Sequence, residues 1–391
     1  MKQFRNILTG ILLMFGLLLP VSIQADSIPA ASEGVGTDLD SIAQRDNVTP
    51  AEQQENTVDV KEIVFGHIGD SYEWHITTWG KTNVVIPLPI IVFSKTTGWH
   101  VFLSFRLEEN GGNYEGLSIA PVGSKYEGKL VERDAAGNEI RPVDISITKV
   151  TLSLLINSVL LLVIVLGVAQ WYRKHPQGTA APGGFVGFME MFIMMVNDDI
   201  IKSCVGPKYH KFAPYLLTAF FFIFINNLMG LIPVFPGGAN VTGNIAITMV
   251  LALCTFVAVN LFGTKTYWKD IFWPDVPWWL KVPVPMMPFI EFFGIFTKPF
   301  ALMIRLFANM LAGHMAMLVL TCLIFISASM GPALNGTLTV ASVLFNIFMN
   351  ALELLVAFIQ AYVFTMLSAV FIGLAQEEHK EEKKKEVIIE K

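Results

Sequence analysis

The chain has 391 residues, 53% of them hydrophobic and 15% charged, with a mean hydropathy of +0.55, too apolar for a soluble protein of ordinary mixed surface. Its net charge of -5 says little, since the charges sit mainly in the first 150 residues and the tail, and nucleic acid is not an expected partner. No GxxxxGK[ST] loop occurs, so the specific mark of a phosphate-cradling nucleotide site is missing from the sequence.

At the amino terminus, Lys2 and Arg5 precede an apolar core from Ile7 to Leu19, and Ile23-Gln24-Ala25 offers a cleavage site before Asp26. This pattern predicts a signal peptide over residues 1–25, with an uncleaved anchor helix as the alternative. Residues 26–60 are polar and read as a flexible lead-in. Residues 61–146 hold short β-prone runs, Trp74 to Trp79, Val84 to Phe93, Trp99 to Phe105 and Lys125 to Val131, separated by Gly, Asn and Asp. They predict a small extracytoplasmic β-rich domain. His67, Asp70, Glu73 and His75 are close enough to suggest a metal site, but alternating polar residues on an exposed strand explain them more simply. No metal or other cofactor is assigned.

The membrane part is expected over residues 147–379. A helix from Ile147 to Tyr172 is long enough to cross about 30 Å of hydrocarbon and stops at Arg173-Lys174-His175. Gly184 to Ile201, ending in Asn197-Asp198-Asp199, reads as interfacial. Spans follow near Ala213–Ile232 and Asn244–Phe262, then a loop with Lys265, Lys269, Lys281 and the interface-type Trp268, Trp273, Trp278 and Trp279. Residues 287–327 and 339–376 would each run about 55–60 Å as helix, nearly twice the hydrocarbon thickness, so they must tilt or bend, and Pro299 is a natural bend. Lys and Arg populate loops 173–211 and 265–281 and the charged tail 380–391, and are missing from 234–243 and 328–338. The alternation predicts five crossings, with the mature amino terminus outside and the carboxyl terminus in the cytoplasm. Cys204, Cys254 and Cys322 form no C-x-x-C pair and read as small buried apolar side chains. The fold class expected is therefore an all-α polytopic membrane protein, including two long tilted helices, with a β-rich extramembrane domain in front.

Arg305 is the only full charge between Pro299 and Ile326. An arginine remains protonated at any physiological pH, and at the centre of a membrane helix it costs from about 3 to more than 10 kcal/mol. A buried ion pair would be the bland explanation; functional use is the default. Lys298 and Glu291 stand seven and fourteen residues before it, on nearly one stripe of the helix. Asn346, Glu353 and Gln360 form a second stripe of the same spacing, and the two could face each other. His314, nine residues beyond Arg305, projects to roughly the opposite side. His314 and Glu353 could relay a proton, or merely satisfy each other in a bundle core. Gln360 and Asn309 could be packing glue.

The stretch Arg305-Leu306-Phe307-Ala308-Asn309-Met310-Leu311-Ala312-Gly313-His314 closely resembles the signature of subunit a of the F-type ATP synthase. Asn226-Asn227-Leu228-Met229-Gly230-Leu231-Ile232-Pro233, and Ala351 to His379 with Glu353 and Gln360, are similar to that family's earlier and last membrane helices. The resemblance covers roughly residues 149–379. It implies a non-catalytic stator subunit in a bacterial plasma (inner) membrane, with two offset half-channels carrying protons to and from c-ring carboxylates. The c-ring, b-type peripheral stalk subunits and membrane lipid are the implied partners. Arg305 would be the family's essential arginine, Gln360 the glutamine beside it and Glu291 an acid on the same helix. Asn309 would join the proton path; Asn226, Asn227, Asn346 and Lys298 are candidates for half-channel lining. Many bacterial members carry Glu where His314 stands and His where Glu353 stands, so the pair is exchanged here, which argues that the two positions are near in space. Gly230 stands where some members have Asp, and Asn226 or Asn227 would line that inlet instead. A transporter acting alone, with Arg305 binding an anion, or a plain membrane anchor for the β domain are the rivals.

Overall fold

The computed structural model describes residues 69–79, 82–121, 124–133, 139–175, 182–232, 235–272, 286–327 and 332–376. The expected signal peptide, lead-in and charged tail, together with His67, Trp273, Trp278, Trp279 and Lys281, lie outside the described residues.

The described residues between 69 and 148 carry nine short strands in three antiparallel sheets. β1 (Glu73–Trp79) pairs with β2 (Thr82–Pro87). β3 (Pro89–Ser94) lies between β4 (Gly98–Leu103) and β9 (Val143–Asp144), and β5 (Asn113–Tyr114), β6 (Leu117–Ile119), β7 (Leu130–Arg133) and β8 (Glu139–Ile140) form the third sheet. Alternation along β3 turns Ile90 and Val92 inward, where they join Tyr72, Phe102, Leu107, Leu117 and Leu130 in one small core. The predicted run Val84 to Phe93 breaks at Leu88 into two strands that belong to different sheets. Phe105 does not continue β4 but opens the short helix α1 (Phe105–Glu109). Lys125 to Gly128 is a turn, and Gly128 has a φ of 71° that a side chain would resist.

Asp70 is not on an exposed strand either. It is half-buried beside the start of α2 (Lys149–Lys174), where its Oδ1 accepts a hydrogen bond from the Val150 amide at 3.1 Å. Burial, the largest influence, raises its carboxyl above the ordinary carboxylate range. Thr148 caps the same helix by accepting from the Thr151 amide at 3.4 Å.

After α2 come α3 (Gly184–Met194), a π-helical segment Met195–Lys202, two short turns through Lys208, and α4 (Tyr209–Leu231). Phe192 of α3 stacks on Phe224 of α4 with ring centroids 5.7 Å apart, and Phe220, Phe224 and Phe358 complete the aromatic cluster. The chain therefore doubles back between α3 and α4, at a turn where Gly206 has a φ of 74°. The Gly184–Ile201 segment expected at an interface buries Met189, Val196, Ile200 and Ile201 in the main core while leaving Phe185, Phe188 and Met191 exposed.

α5 (Ile245–Leu261) and α6 (Lys265–Phe272) meet at 99°. α7 (Met286–Ser327) and α8 (Pro332–Gln376) contain 42 and 45 residues, hence about 63 and 68 Å of helix. Pro299 lies inside α7, which is continuous past it. Four described helices or helical runs are long and apolar enough to cross a membrane, and five crossings result if the bent α5–α6 pair makes one span. The protein is a mostly helical, multi-pass membrane protein.

Small residues let the helices close on one another. Ala357, Ala361 and Ala369 of α8 are fully buried, two of them in the core that α4 fills with Leu216, Ala219, Phe220 and Ile223. Gly373 is more demanding: a Cβ there would stand 2.1 Å from the Cys204 carbonyl oxygen. Thr255 of α5 hydrogen-bonds both Tyr215 of α4 at 2.8 Å and Ser368 of α8 at 3.2 Å, tying three helices at one point. Cys204, Cys254 and Cys322 are free thiols; Cys322 is buried and the other two are half-buried.

Candidate functional site

The chemistry-bearing side chains converge on α7 and α8, which pack against each other along much of their length. A helix advances 100° per residue, so one helix can serve two surfaces.

Arg305 lies on the outer surface. It is exposed and makes no hydrogen bond or ion pair among the described residues. The bland explanation of a buried ion pair is thus excluded within them. The side chain lines a pocket of ≈ 320 Å³ with Thr297, Lys298, Ala301 and Leu302 of its own helix and Leu367 and Phe371 of α8. Lys298 Nζ sits 5.8 Å from the centroid of Phe371, a cation held over an aromatic face. Asn309, one turn beyond Arg305, is also exposed, and Glu291 is half-buried. Phe293, Phe296, Phe300 and Ile304 expose large apolar surface around this cationic strip.

His314 lies on the inner surface. Its Nδ1 is 3.7 Å from Glu353 Oε1, with His314 8% and Glu353 4% exposed. Nδ1 and both carboxylate oxygens are buried without a hydrogen bond among the described residues. Gly313 makes the space: a Cβ there would stand 3.2 Å from Glu353 Oε1. The spatial proximity expected from the exchanged acid and imidazole is what the geometry has. The two stripes, which could have faced each other, do not: Glu353 meets His314, and Asn346 donates to Thr321 Oγ1 at 3.0 Å, while the Arg305 strip meets Leu367 and Phe371. The heptad drift of about 20° leaves the stripes pointing into different gaps. Gln360 is buried, with no hydrogen bond among the described residues.

Loop 235–244 reaches α7 and α4 close to the His314–Glu353 pair. Asn240 donates to the Met310 carbonyl at 3.4 Å, one turn before His314. Asn227 of α4 donates to the Ala357 carbonyl at 3.3 Å, one turn after Glu353, and accepts from Thr242 at 2.6 Å. Asn240 can fold back only because residue 243 is glycine, whose amide it binds at 2.8 Å and whose Cβ would collide with its side chain at 2.2 Å. Asn226 faces elsewhere, accepting from Asn157 of α2 at 3.0 Å. Of the two inlet candidates, only Asn227 lies beside the pair. Sequence reading missed Asn240, Thr242 and Asn157; the signal available was a short uncharged polar run, Asn240-Val241-Thr242, between two apolar helices.

A profile described as the ATP synthase A chain matches residues 153–373. The chain belongs to this family. It is 44% identical over 245 residues to ATP synthase subunit a of Chlorobium phaeobacteroides, covering 60% of this chain and 67% of the relative. It is 40% identical over 253 residues to that of Chloroherpeton thalassium (62% and 71% covered) and 39% over 239 residues to that of Myxococcus xanthus (60% and 74%). For a subunit a, the strip of Arg305, Lys298 and Asn309 and the pair His314–Glu353 all fall inside the matched residues. A second profile, described only as a domain of unknown function (DUF8433), matches residues 63–148. The strand-rich part therefore falls outside the subunit a match.

Proposed function

We propose that this chain is the stator proton-channel subunit of an F-type ATP synthase in a bacterial inner membrane, non-catalytic in itself. Two offset half-channels would carry protons to and from c-ring carboxylates and so couple ion flow to ring rotation and ATP synthesis. The observation that carries this reading is Arg305: a permanent cation on an apolar helix surface, with no partner in its own described chain. Such a charge calls for a carboxylate delivered from outside. A ring of small subunits, each bearing one, fits the exposed apolar surface around it.

The mechanism is electrostatic. A protonated ring carboxyl can face lipid and an ionised one cannot. Arg305 favours the ionised form and lowers the pKa of each carboxyl as it passes. The same charge blocks a direct proton leak between the half-channels. On the inlet side, protons pass the amides of Asn240 and Asn227 to His314 and Glu353, whose unsatisfied atoms can share a proton. Glu291, Lys298 and Asn346 line the remaining path, and Asn309 and Gln360 sort the protonated from the ionised ring carboxyl. Each charge crossing the full potential carries about 2.3 kcal/mol per 100 mV, so several must accumulate for one ATP. b-type peripheral stalk subunits hold the stator. Residues 1–25 are the signal peptide, 26–60 a lead-in, 61–146 an extracytoplasmic domain, 147–379 the five-crossing membrane domain with its carboxyl end in the cytoplasm, and 380–391 the tail.

The test is ATP-driven proton pumping in vesicles carrying the whole assembly with Arg305→Ala, beside Arg305→Lys. Loss of pumping and synthesis in an assembled complex supports the stator charge; undiminished coupled pumping sinks it. Copurification with a ring of small hairpin subunits separates this reading from a lone transporter or an anchor.

A further inference from the structure

We infer that the strand-rich region, residues 69–148, has a function of its own: it braces loop 235–244 and so holds Asn240 on the Met310 carbonyl and Thr242 on Asn227, one turn from His314 and Glu353. This rests on the proposed inlet and adds to it the element that keeps the inlet formed.

The contacts run without a gap. Ser71 and Asp70 hold the strand-rich region to α2, accepting hydrogen bonds from the Lys149 amide at 2.9 Å and the Val150 amide at 3.1 Å. Tyr72 anchors the same segment in the β core: its hydroxyl donates to Asp144 and accepts from the Leu130 amide. Two residues on, Trp74 is 3% exposed and meets Phe235 edge to face, centroids 5.1 Å apart and planes at 71°. Phe235 begins the loop that carries Asn240 and Thr242. The loop is pinned to α4 by Gly238, whose amide donates to the Met229 carbonyl at 3.1 Å, while Gly237 has Ile232 O where a Cβ would be, 2.4 Å away. Ala239, Val241 and Thr242 then bury almost completely. A segment seated this deeply, on amides placed one turn from each member of a proton-sharing pair, tolerates little displacement. The aromatic contact with Trp74 adds a restraint that comes from outside α4.

The test uses the complete assembly in vesicles. Trp74→Ala, Phe235→Ala and the double variant are compared with Trp74→Phe for the rate of proton-driven synthesis against pH on the inlet side. An edge-to-face pair biases a two-state arrangement by roughly two- to tenfold. Each single variant should lower turnover within that range and shift the pH profile, the double variant should be no worse than the worse single, and Trp74→Phe should keep most of the rate. Phe235→Ala reads the contact from the loop without disturbing the β core. Unchanged turnover and pH profile in that variant, or losses that add in the double variant, overturn the inference. His314→Ala distinguishes the two readings. If it leaves proton flow intact, the inlet itself is wrong, whatever Trp74 does.

Discussion

Arg305 and His314 stand on one continuous helix and live under opposite conditions. Arg305 is exposed and has no partner in the described chain; His314 is buried 3.7 Å from a carboxylate that this chain provides. A charge with no partner among the described residues contributes little to the fold of its own chain. A buried pair is part of the fold, and removing one member leaves the other desolvated and alone. The same helix therefore separates residues whose loss should stop transport without harming assembly from residues whose loss should do both.

That contrast can be broken. Arg305→Gln should leave the complex assembled while lowering coupled pumping at least about a hundredfold, since roughly 3 kcal/mol or more of charge interaction is at stake; parallel immunodetection of the complex and pumping assays check both halves. Glu353→Gln and His314→Gln should each lower pumping about tenfold or more and reduce the amount of complex, because a buried partner is lost. The double exchange His314→Glu with Glu353→His should recover much of the rate, and a double variant no better than the singles would show that proximity is not what matters.

Gly313→Ala sharpens the same point with one carbon. Its Cβ would press on the Glu353 carboxylate at 3.2 Å, so pumping should fall by a few-fold and shift in pH optimum while Arg305-dependent coupling persists. The smallest effect belongs to the strand-rich region. Ser94 and Thr96 donate to Glu132 and lower its pKa, so its contribution is present above its unfolded value and is lost as pH falls through the lowered one. Asp70 runs the other way: its pKa is raised, so its contribution is complete below its unfolded value and is lost as pH rises through the folded one. Hydrogen exchange of β3, β4 and the start of α2 from about pH 3 to 6 should show both trends. Glu132→Gln should abolish the acid-side loss in β3 and β4, and Asp70→Asn should flatten the rise in exchange at α2.

Much of the membrane architecture was legible because a bilayer leaves so few options: long apolar runs, one intolerable charge and polar residues at helical spacing all point one way. Spacing put Arg305 and His314 on opposite sides of a helix, and the exchanged acid and imidazole put Glu353 beside His314. Where reading failed, the missing information was tertiary. Asn226 and Asn227 are neighbours in sequence with identical chemistry, and only packing turns one toward α2 and the other toward α8. Asn240 and Thr242 sit in a loop, where no periodicity marks them. Leu88 splits a β-prone run because its two halves find different partners, a choice that propensity does not contain. Asp70 looked like a surface acid until the helix it caps was in view.

Gly373 bears on how force passes through the molecule. Its missing side chain seats α8 directly on the Cys204 carbonyl, and two residues on the Ala375 carbonyl accepts from the Thr264 amide at 2.9 Å. At the opposite end, Ser327 of α7 donates to Asn335 of α8 at 2.9 Å. The long hairpin is thus a beam clamped at both ends, stiff along the stretch where Arg305 sits. Under the proposed stator role, bending of that beam would be lost motion, with torque dissipated as elastic deflection before it reached the rotor. Backbone seated on backbone leaves no side-chain rotamer to yield, so the clamp at Gly373 would keep compliance out of a subunit that, in that role, must stand still.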